Sequence, residues 1–330
     1  MIRALPLAAH RLVAAFFVLA SVAQVEAAQF TLQQNDGGVT VRVDGQLFTE
    51  YRTNIGTKPI LWPIIGPDGA QMTRDYPMKD VVGEKHDHFH QRSLWFTYGE
   101  VNGIDFWAEP GSYKDGKAPT GKRLGTIVHR DFQKLDASGD SATIVTTNDW
   151  LDEAGTKQLE DERRLRFILD GESRAIDFDI TLKATAGDVE FGDTKEGAMG
   201  TRVPTSMDVT SKLGGAIMNS EGQADEQAWG KPARWVDYHG PVGEQTVGIA
   251  VMNHPSSFHY PSRWHVRTYG LFAANPFGLR DFDKQSASPG GYTLRSGESI
   301  ALRYRFIFHR GDEKSAQIAA AFDRYAAQQK

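Results

Sequence analysis

Two histidine-rich stretches carry the densest chemistry in this sequence. In the first, residues 86–92 read HDHFHQR, which places His86, His88 and His90 at alternate positions. Alternate residues of an extended strand share one face, so the spacing predicts three imidazoles side by side. Imidazole exchanges protons near pH 7 and also binds divalent metals. We therefore predict a hydrogen-bonding or proton-transferring site with His88 and His90, and keep as the alternative a metal site on His86, His88 and His90.

The second stretch covers residues 229–277 and mixes the same residue types. If residues 264–270 are extended, His265, Arg267 and Tyr269 share one face. Imidazole, guanidinium and phenol bind hydroxyls and anions, and neutral imidazole can exchange protons. His265 is therefore a catalytic candidate. The ligand-binding candidates of this stretch are Trp235, Asp237, Tyr238, His254, Trp264, Arg267, Tyr269 and Asn275.

A third segment, residues 193–204, places Lys195, Glu196 and Arg202 between glycines. Glycines allow close backbone approach, and a carboxylate whose pKa is raised serves as a base. A solvated turn would explain the segment alone. Beside two histidine clusters, however, a carboxylate completes the usual acid–base pairing. We predict Glu196 as a base or nucleophile, with Lys195, Arg202 and Arg92 holding hydroxyls or an oxyanion.

Tryptophans lie in or beside these segments. Indole faces stack on the apolar faces of sugar rings, and indole N–H groups donate hydrogen bonds. Large aromatics are also ordinary core residues, but their position beside His, Arg, Asp and Asn favours a carbohydrate ligand. The residues concerned are Trp62, Trp95, Trp107, Trp229, Trp235 and Trp264.

Composition and motifs exclude several other classes of protein. The chain has 37 Lys and Arg against 42 Asp and Glu, scattered without a basic stripe, so nucleic acid is not expected as a partner. The sequence contains no cysteine, which excludes thiolate metal sites and thiol catalysis. Serine-hydrolase, zinc-protease, phosphate-binding and calcium-loop motifs are also missing. No cofactor is predicted, apart from the alternative of a divalent metal.

Period-two alternation of apolar and polar residues predicts half-buried strands that are separated by Gly and polar turns. A helical pattern appears only in residues 313–329, with Ile318, Ala321, Phe322 and Tyr325 on one face. The sequence therefore predicts an all-β fold, a large antiparallel β sandwich with a short C-terminal helix. The clearest predicted strands are residues 38–44, 141–147, 163–169, 175–182 and 300–308.

The N-terminus has the layout of a secretory signal peptide. Basic residues precede an apolar run at residues 12–20, which is about half the length that crosses a bilayer, and a small-residue stretch follows. We predict a signal peptide over residues 1–27 and a single β-sandwich domain over residues 28–330. The mature protein is expected to be periplasmic or secreted, without a membrane span after cleavage.

Seven segments in one order resemble a family of exported bacterial proteins labelled PmoA-like or "methane oxygenase", whose function is essentially unknown. They are residues 58–63, 87–92, 101–107, 194–197, 229–238, 254–255 and 264–277. The family often has a second His directly before the Arg of the first histidine stretch, where this chain has Gln91. The methane monooxygenase subunit of that name is an integral membrane protein, so its activity is not expected here.

The family is also similar in architecture to the galactose mutarotase-like supersandwich. That resemblance implies sugar binding on a concave sheet face that carries His and carboxylate groups. The leading hypothesis is a periplasmic carbohydrate-active enzyme, a hydrolase, lyase or epimerase, with His88, His90, His265 and Glu196 as catalytic groups. The alternatives are a noncatalytic carbohydrate-binding protein and a metal-dependent enzyme using His86, His88 and His90.

Overall fold

The computed structural model describes residues 1–2 and 28–329. Most of the predicted signal peptide, residues 3–27, lies outside the described residues. Within the described part, no helix is both long and apolar enough to cross a membrane.

Residues 28–329 form β-strands and one α-helix, which confirms the predicted all-β fold. The strands are β1 (Phe30–Asn35), β2 (Gly38–Val43), β3 (Gln46–Arg52), β4 (Ile60–Ile64), β5 (Leu94–Tyr98), β6 (Thr126–Ser138), β7 (Ser141–Leu151), β8 (Lys157–Asp170), β9 (Ser173–Lys183), β10 (Val189–Phe191), β11 (Gly197–Arg202), β12 (Ala216–Asn219), β13 (Trp235–Val242), β14 (Gln245–Asn253), β15 (Arg263–Val266), β16 (Leu271–Asn275), β17 (Tyr292–Leu294) and β18 (Ser299–Arg310). The helix is α1 (Ile318–Ala326).

Two antiparallel sheets of eight strands pack face to face. The first has the order β1-β2-β3-β4-β5-β11-β16-β15, and the second has the order β12-β13-β14-β18-β9-β8-β7-β6. Their inner faces meet through rings such as Phe48, which lies 5.8 Å from Phe167 and 6.1 Å from Phe308 between ring centroids. Burying each such side chain stabilises the fold by roughly 1.5–3 kcal/mol. Alternating inward positions thus produce the sandwich that the sequence pattern predicts.

Helix α1 covers part of the outer face of the second sheet. Its buried side chains are those predicted from the pattern, Ile318, Ala321, Phe322 and Tyr325. They pack against Ala250, Met252 and Ile307 in one apolar cluster. The helix is shorter than residues 313–329 because Gln317, with φ 52°, has a left-handed conformation at its N-terminal cap.

The outer face of the first sheet forms the floor of a cleft. In β5 and β16, Phe96 and Phe272 point into the inter-sheet core, whereas Trp95 and Leu271 belong to a separate outer cluster. Gly200 of β11 lies beneath the Trp95 ring, and a Cβ at that position would lie 2.7 Å from it. Glycine at 200 therefore lets the indole lie flat against the sheet.

The prediction of a strand through the first histidine stretch is wrong, because residues 86–93 form a loop and β5 begins at Leu94. His88 has a left-handed φ of 44°. The fully buried Arg74 explains the departure. Its guanidinium donates to the carbonyl oxygens of Lys85 (3.1 Å), His88 (3.2 Å) and Gln91 (3.3 Å), which therefore pair with a side chain instead of a neighbouring strand.

Asp237 of β13 is buried between two imidazoles of the second sheet. His309 Nε2 lies 2.6 Å from Asp237 Oδ2, and His239 Nδ1 lies 2.7 Å from Asp237 Oδ1. Burial lowers the pKa of both histidines, but the Asp237 carboxylate outweighs burial and raises each pKa above its ordinary value. Burial raises the pKa of Asp237, but the histidines outweigh it, so that the pKa is lowered. The second sheet thus contains a buried carboxylate that is paired with two imidazoles.

Replacing Asp237 with Asn is expected to destabilise the protein most at mildly acidic pH. Because Asp237 raises the histidine pKa values, its interaction with the protonated histidines stabilises the folded protein. This stabilisation is fully present below the histidine pKa of the unfolded chain, about 6.5, and is lost as pH rises through the histidine pKa values of the folded protein. The loss should be about 3 kcal/mol near pH 6 and smaller at pH 8.5. Urea unfolding across this range would measure it. Asp188→Asn, which removes a carboxylate from an exposed pair with Arg295, is the control. Equal losses for Asp237→Asn at both pH values would contradict the interpretation.

Candidate active site

A cleft of about 390 Å³ lies on the outer face of the first sheet. All four catalytic candidates line it, together with three of the predicted binding residues. Its walls are formed by His88, His90, Gln91, Asp105, Trp107, Ala108, Ser112, Tyr113, Lys122, Lys195, Glu196, His265, Arg267 and Tyr269. The structure therefore brings residues from all three predicted segments together.

Sheet order explains why these segments meet. Strands β5, β11, β16 and β15 are neighbours in the first sheet. The loop of residues 86–93 leads into β5, and the long connection of residues 99–125 follows it. Lys195 and Glu196 precede β11, and Arg267 and Tyr269 lie in the turn between β15 and β16. The site is therefore built from the connections around adjacent strands, where sites commonly form.

His265 is held as a neutral imidazole with a defined tautomer. Its Nδ1 lies 2.9 Å from the carbonyl oxygen of Lys195, so that Nδ1 donates and Nε2 is left as the acceptor. Burial is the main reason that the pKa of His265 falls to about 4, against the opposing charge of Glu196. At neutral pH His265 can accept a hydrogen bond through Nε2, but it carries no spare proton to donate.

His90 and His88 line the cleft in different environments. His90 is mostly enclosed, with Nδ1 2.9 Å from the Ser112 hydroxyl, and burial lowers its pKa to about 3. The His88 side chain is 40% exposed, and its ring stacks on Tyr269 with 4.7 Å between centroids. Its Nδ1 lies 3.3 Å from Asp87 Oδ2. His88 is thus the cleft histidine whose ring lies beside a carboxylate that can orient it.

Glu196 supplies a carboxylate to the cleft and is 34% exposed. Its Oε1 lies 2.9 Å from Lys195 Nζ. Burial lowers the pKa of Lys195, but the hydrogen bond and charge of Glu196 outweigh it and raise that pKa. Asn275 fixes the segment from below, donating from Nδ2 to the carbonyl oxygen of Thr194 (2.9 Å). Asn275 therefore positions Glu196 and does not line the cleft.

The profile of the family described as "Family of unknown function (DUF6807)" matches residues 38–323. The chain belongs to this family. The expected membership of a family of unknown function is thereby confirmed, whereas the PmoA-like label stays a prediction. No functionally curated protein is detectably similar in sequence.

Several solved structures are similar to this DUF6807 chain over part of their length. An α-galactosidase from Lactobacillus brevis is 11% identical, with a TM-score of 0.45, over 91% of this chain and 43% of the galactosidase. A family 36 α-galactosidase from Geobacillus stearothermophilus is 10% identical, with a TM-score of 0.39, over 86% and 41% of the two chains. A glycoside hydrolase family 97 enzyme from Pseudoalteromonas sp. strain K8 is 10% identical, with a TM-score of 0.32, over 86% and 35%.

The DUF6807 chain spans less than half the length of each of these proteins. With TM-scores below 0.5, these similarities carry no argument about activity.

Arg92 and Arg202 were predicted to bind substrate, but both are buried in ion pairs beneath the cleft. Arg92 donates from Nε (2.9 Å) and Nη2 (2.8 Å) to Glu109, whose Oε1 also lies 2.5 Å from Lys58 Nζ. Burial raises the pKa of Glu109, but these two cations outweigh it, so that the pKa is lowered. Arg202 Nη2 pairs with Asp87 Oδ1 at 2.9 Å. Both arginines hold the loops that carry the candidate groups.

Five other predicted binding residues lie away from the cleft walls. Trp235 packs beneath α1, and Asp237 is paired with histidines of the second sheet. The Tyr238 hydroxyl donates to the carbonyl oxygen of Thr268 (3.0 Å), and Trp264 Nε1 donates to that of Ala233 (2.9 Å). His254 lies with Nε2 3.2 Å from the carbonyl oxygen of Gln328, near the C-terminus. Polar groups buried in a core normally satisfy one another in this way.

Sequence reasoning missed most of the wall formed by residues 99–125. Asp105, Ser112 and Lys122 line the cleft but were not singled out, and Trp107 was considered only as an aromatic. The available signal was the length of this connection and its Gly and Pro residues, because long loops over a sheet often form sites.

The three histidines predicted for the metal alternative do not line the cleft together. The His86 ring stacks on Tyr76 with 4.4 Å between centroids, and its Nε2 lies 3.6 Å from Asp80. Within the described residues, the set with ligand atoms inside 4.8 Å of one another is Asp237, His239 and Glu313. Both oxygens of Asp237 already pair with imidazole nitrogens, so this set is satisfied without an ion.

Replacing Glu109 with Gln should destabilise the protein and loosen the cleft walls. The change leaves Lys58 and Arg92 buried without a counter-charge, a loss that costs about 3–5 kcal/mol. Urea unfolding would measure the stability, and hydrogen exchange should show faster exchange in residues 86–93 and 105–113. Glu172→Gln, at a carboxylate that is 86% exposed beside Arg310, is the control and should behave like the parent. Unchanged stability of Glu109→Gln would show that the buried triad does not hold these loops.

Proposed function

We propose that this chain is a periplasmic enzyme whose cleft binds a sugar and moves a proton on it by general acid–base chemistry. The observation that carries the proposal is the convergence of Glu196, His88, His90 and His265 on one cleft. A carboxylate with histidines within one pocket is a usual acid–base arrangement.

The cleft has the size and groups that a small polyhydroxylated ligand needs. Its volume of about 390 Å³ is within the range of roughly 300–1,000 Å³ for small-molecule sites. Neutral His265 accepts a hydrogen bond from a hydroxyl through Nε2, and Lys195 and Arg267 donate hydrogen bonds. Trp107 and Tyr269 add aromatic faces to the walls, and such faces pack against the C–H faces of sugar rings. A sugar satisfies polar and aromatic walls at the same time.

Proton transfer divides among the groups according to their environments. Glu196 is the base, because it is an accessible carboxylate held by Lys195. His88 is the partner that gives or takes the second proton, since Asp87 orients its ring. His265 and His90, with pKa values of about 4 and about 3, stay neutral and orient hydroxyls instead of supplying protons. This refines the sequence prediction, in which all three histidines were proton-transfer candidates.

The second carboxylate of the cleft favours epimerisation or elimination over hydrolysis. Asp105 Oδ1 accepts from the backbone N–H groups of Trp107 (2.8 Å) and Ala108 (2.9 Å). Its Oδ2 lies 2.7 Å from Lys122 Nζ. Most glycoside hydrolases use two carboxylates, one as acid and one as base or nucleophile. With Asp105 held by two backbone N–H groups, Glu196 and a histidine remain, which suits removal of a proton followed by its return or by departure of a leaving group.

Replacing Glu196 with Gln should abolish turnover while leaving sugar binding largely intact. The amide keeps the shape but cannot accept the proton, so turnover should fall by at least about 100-fold. The assay follows proton–deuterium exchange and product formation by NMR, using neutral and acidic mono- and oligosaccharides. Glu244→Gln, at an exposed turn between β13 and β14, is the matched control and should keep full activity.

Retained turnover in Glu196→Gln, with the fold intact, would refute the assignment of the base. The noncatalytic alternative makes a different prediction. It requires saturable sugar binding with no exchange and no product for the parent protein, and any turnover at an enzymatic rate excludes it.

A further inference from the structure

Arg267 is a cation without a carboxylate partner in the candidate site. Its guanidinium carbon lies 5.7 Å from the ring centroid of Trp229 and 5.7 Å from that of Tyr269. Among residues 28–329, no carboxylate oxygen lies within 4.0 Å of this guanidinium and no hydrogen bond leaves it. The Arg267 side chain is half-buried, and the two aromatic rings hold its guanidinium group. Its N–H groups have no hydrogen-bond acceptor among the described residues.

The other cations in and beneath the cleft are all paired. Lys195 lies 2.9 Å from Glu196, and Lys122 lies 2.7 Å from Asp105. Arg92 and Arg202 pair with Glu109 and Asp87. A partly buried charge is normally paired, since desolvation without a partner is costly. Arg267 thus leaves one positive charge on the cleft wall to be neutralised by a ligand.

Resting on the proposed function, we propose that the sugar bound by the cleft is acidic and that Arg267 binds its carboxylate. The planar fork of a guanidinium matches a carboxylate with two parallel hydrogen bonds. Because the cleft is proposed to bind a sugar, the carboxylate that fits this fork is the one a uronic acid carries. The ligand class is therefore a uronate-containing glycan.

A second depression extends the site on the other side of Arg267. It has a volume of about 240 Å³ and is lined by Glu226, Trp229, Val266, Arg267 and Thr268. Arg267 is the residue that both depressions share. The Trp229 ring is supported from the side by Phe282, at 5.4 Å between centroids. A ligand of two or more sugar units would place its carboxylate at Arg267 and a neighbouring ring against Trp229.

The test compares each uronate oligosaccharide with its neutral counterpart. Galacturonate, glucuronate and mannuronate mono-, di- and trisaccharides, with the matching neutral hexoses and hexose oligomers, are titrated calorimetrically into the full chain. At least one acidic probe should bind about tenfold or more tightly than its neutral partner, and more weakly at about 200 mM than at about 20 mM salt. Arg267→Gln should remove this preference, because the acidic probe should lose about tenfold more affinity than its neutral partner.

Three further variants make the result specific. Arg267→Lys keeps the charge but loses the fork, so it should recover only part of the preference. Arg280→Gln removes the same charge from a side chain that is 80% exposed, and should behave like the parent. Trp229→Ala should weaken trisaccharides more than the monosaccharide uronate, because only the longer ligand reaches the second depression. Thermal unfolding of each variant checks that the fold is intact.

Two results would overturn the inference. One is the absence of any acidic probe that binds more tightly than its neutral partner, and the other is an unchanged preference in Arg267→Gln. Neutral sugars that are turned over in a Glu196-dependent way, with no effect of Arg267, would refute the acidic ligand and leave the proposed function in place. Acidic sugars that bind through Arg267 without turnover would refute the proposed catalytic function and leave the acidic ligand in place.

Discussion

The candidate site depends on one buried guanidinium. Arg74 is fully enclosed and gathers the loop that carries His88 and His90, donating to three carbonyl oxygens and, at 2.5 Å, to Asp87. Burial, followed by the charge of Arg202, lowers the pKa of Arg74 to about 10, so it remains charged at neutral pH. Asp87 also accepts from Arg202 at 2.9 Å and lies beside His88. One ion network therefore sets both the path of the loop at residues 86–93 and the orientation of the His88 ring.

Charges in this part of the molecule fall into two groups. Beneath the cleft, Lys58 and Arg92 share the Glu109 carboxylate and tie two loops together. On the cleft wall, burial keeps His90 and His265 neutral, and each has Nδ1 bonded within the protein and Nε2 left for a hydroxyl group. Desolvation thus has opposite effects in the two places. Buried groups that stay charged must be paired, as beneath the cleft, whereas His90 and His265 lose their charge and become hydrogen-bonding groups.

The sequence predicted what local periodicity determines. The segments at residues 38–44, 141–147 and 300–308 correspond to β2, β7 and β18, and the apolar stripe of α1 was also correct. His265, Arg267 and Tyr269 do line one cleft, but the extended strand predicted over residues 264–270 ends at Val266, and the turn that follows brings Arg267 and Tyr269 there. The loop at residues 86–93 could not be predicted, because the groups that bend it come from Arg74, outside the segment. Arg92, Arg202 and Arg267 look alike in sequence, and only their partners in three dimensions separate buried structural cations from the unpaired one.

The order of the first sheet has a consequence for how the cleft is made during synthesis. Strand β5 pairs with β11, and β11 pairs with β16, so residues 94–98, 197–202 and 271–275 must all be present before the floor exists. Contacts between such distant segments form slowly, because long loops have to close first. A nascent or truncated chain that lacks β16 has no floor beneath His265 and Glu196. Ligand binding would therefore indicate that the first sheet is complete. N-terminal fragments that end before β16 should not bind the ligand.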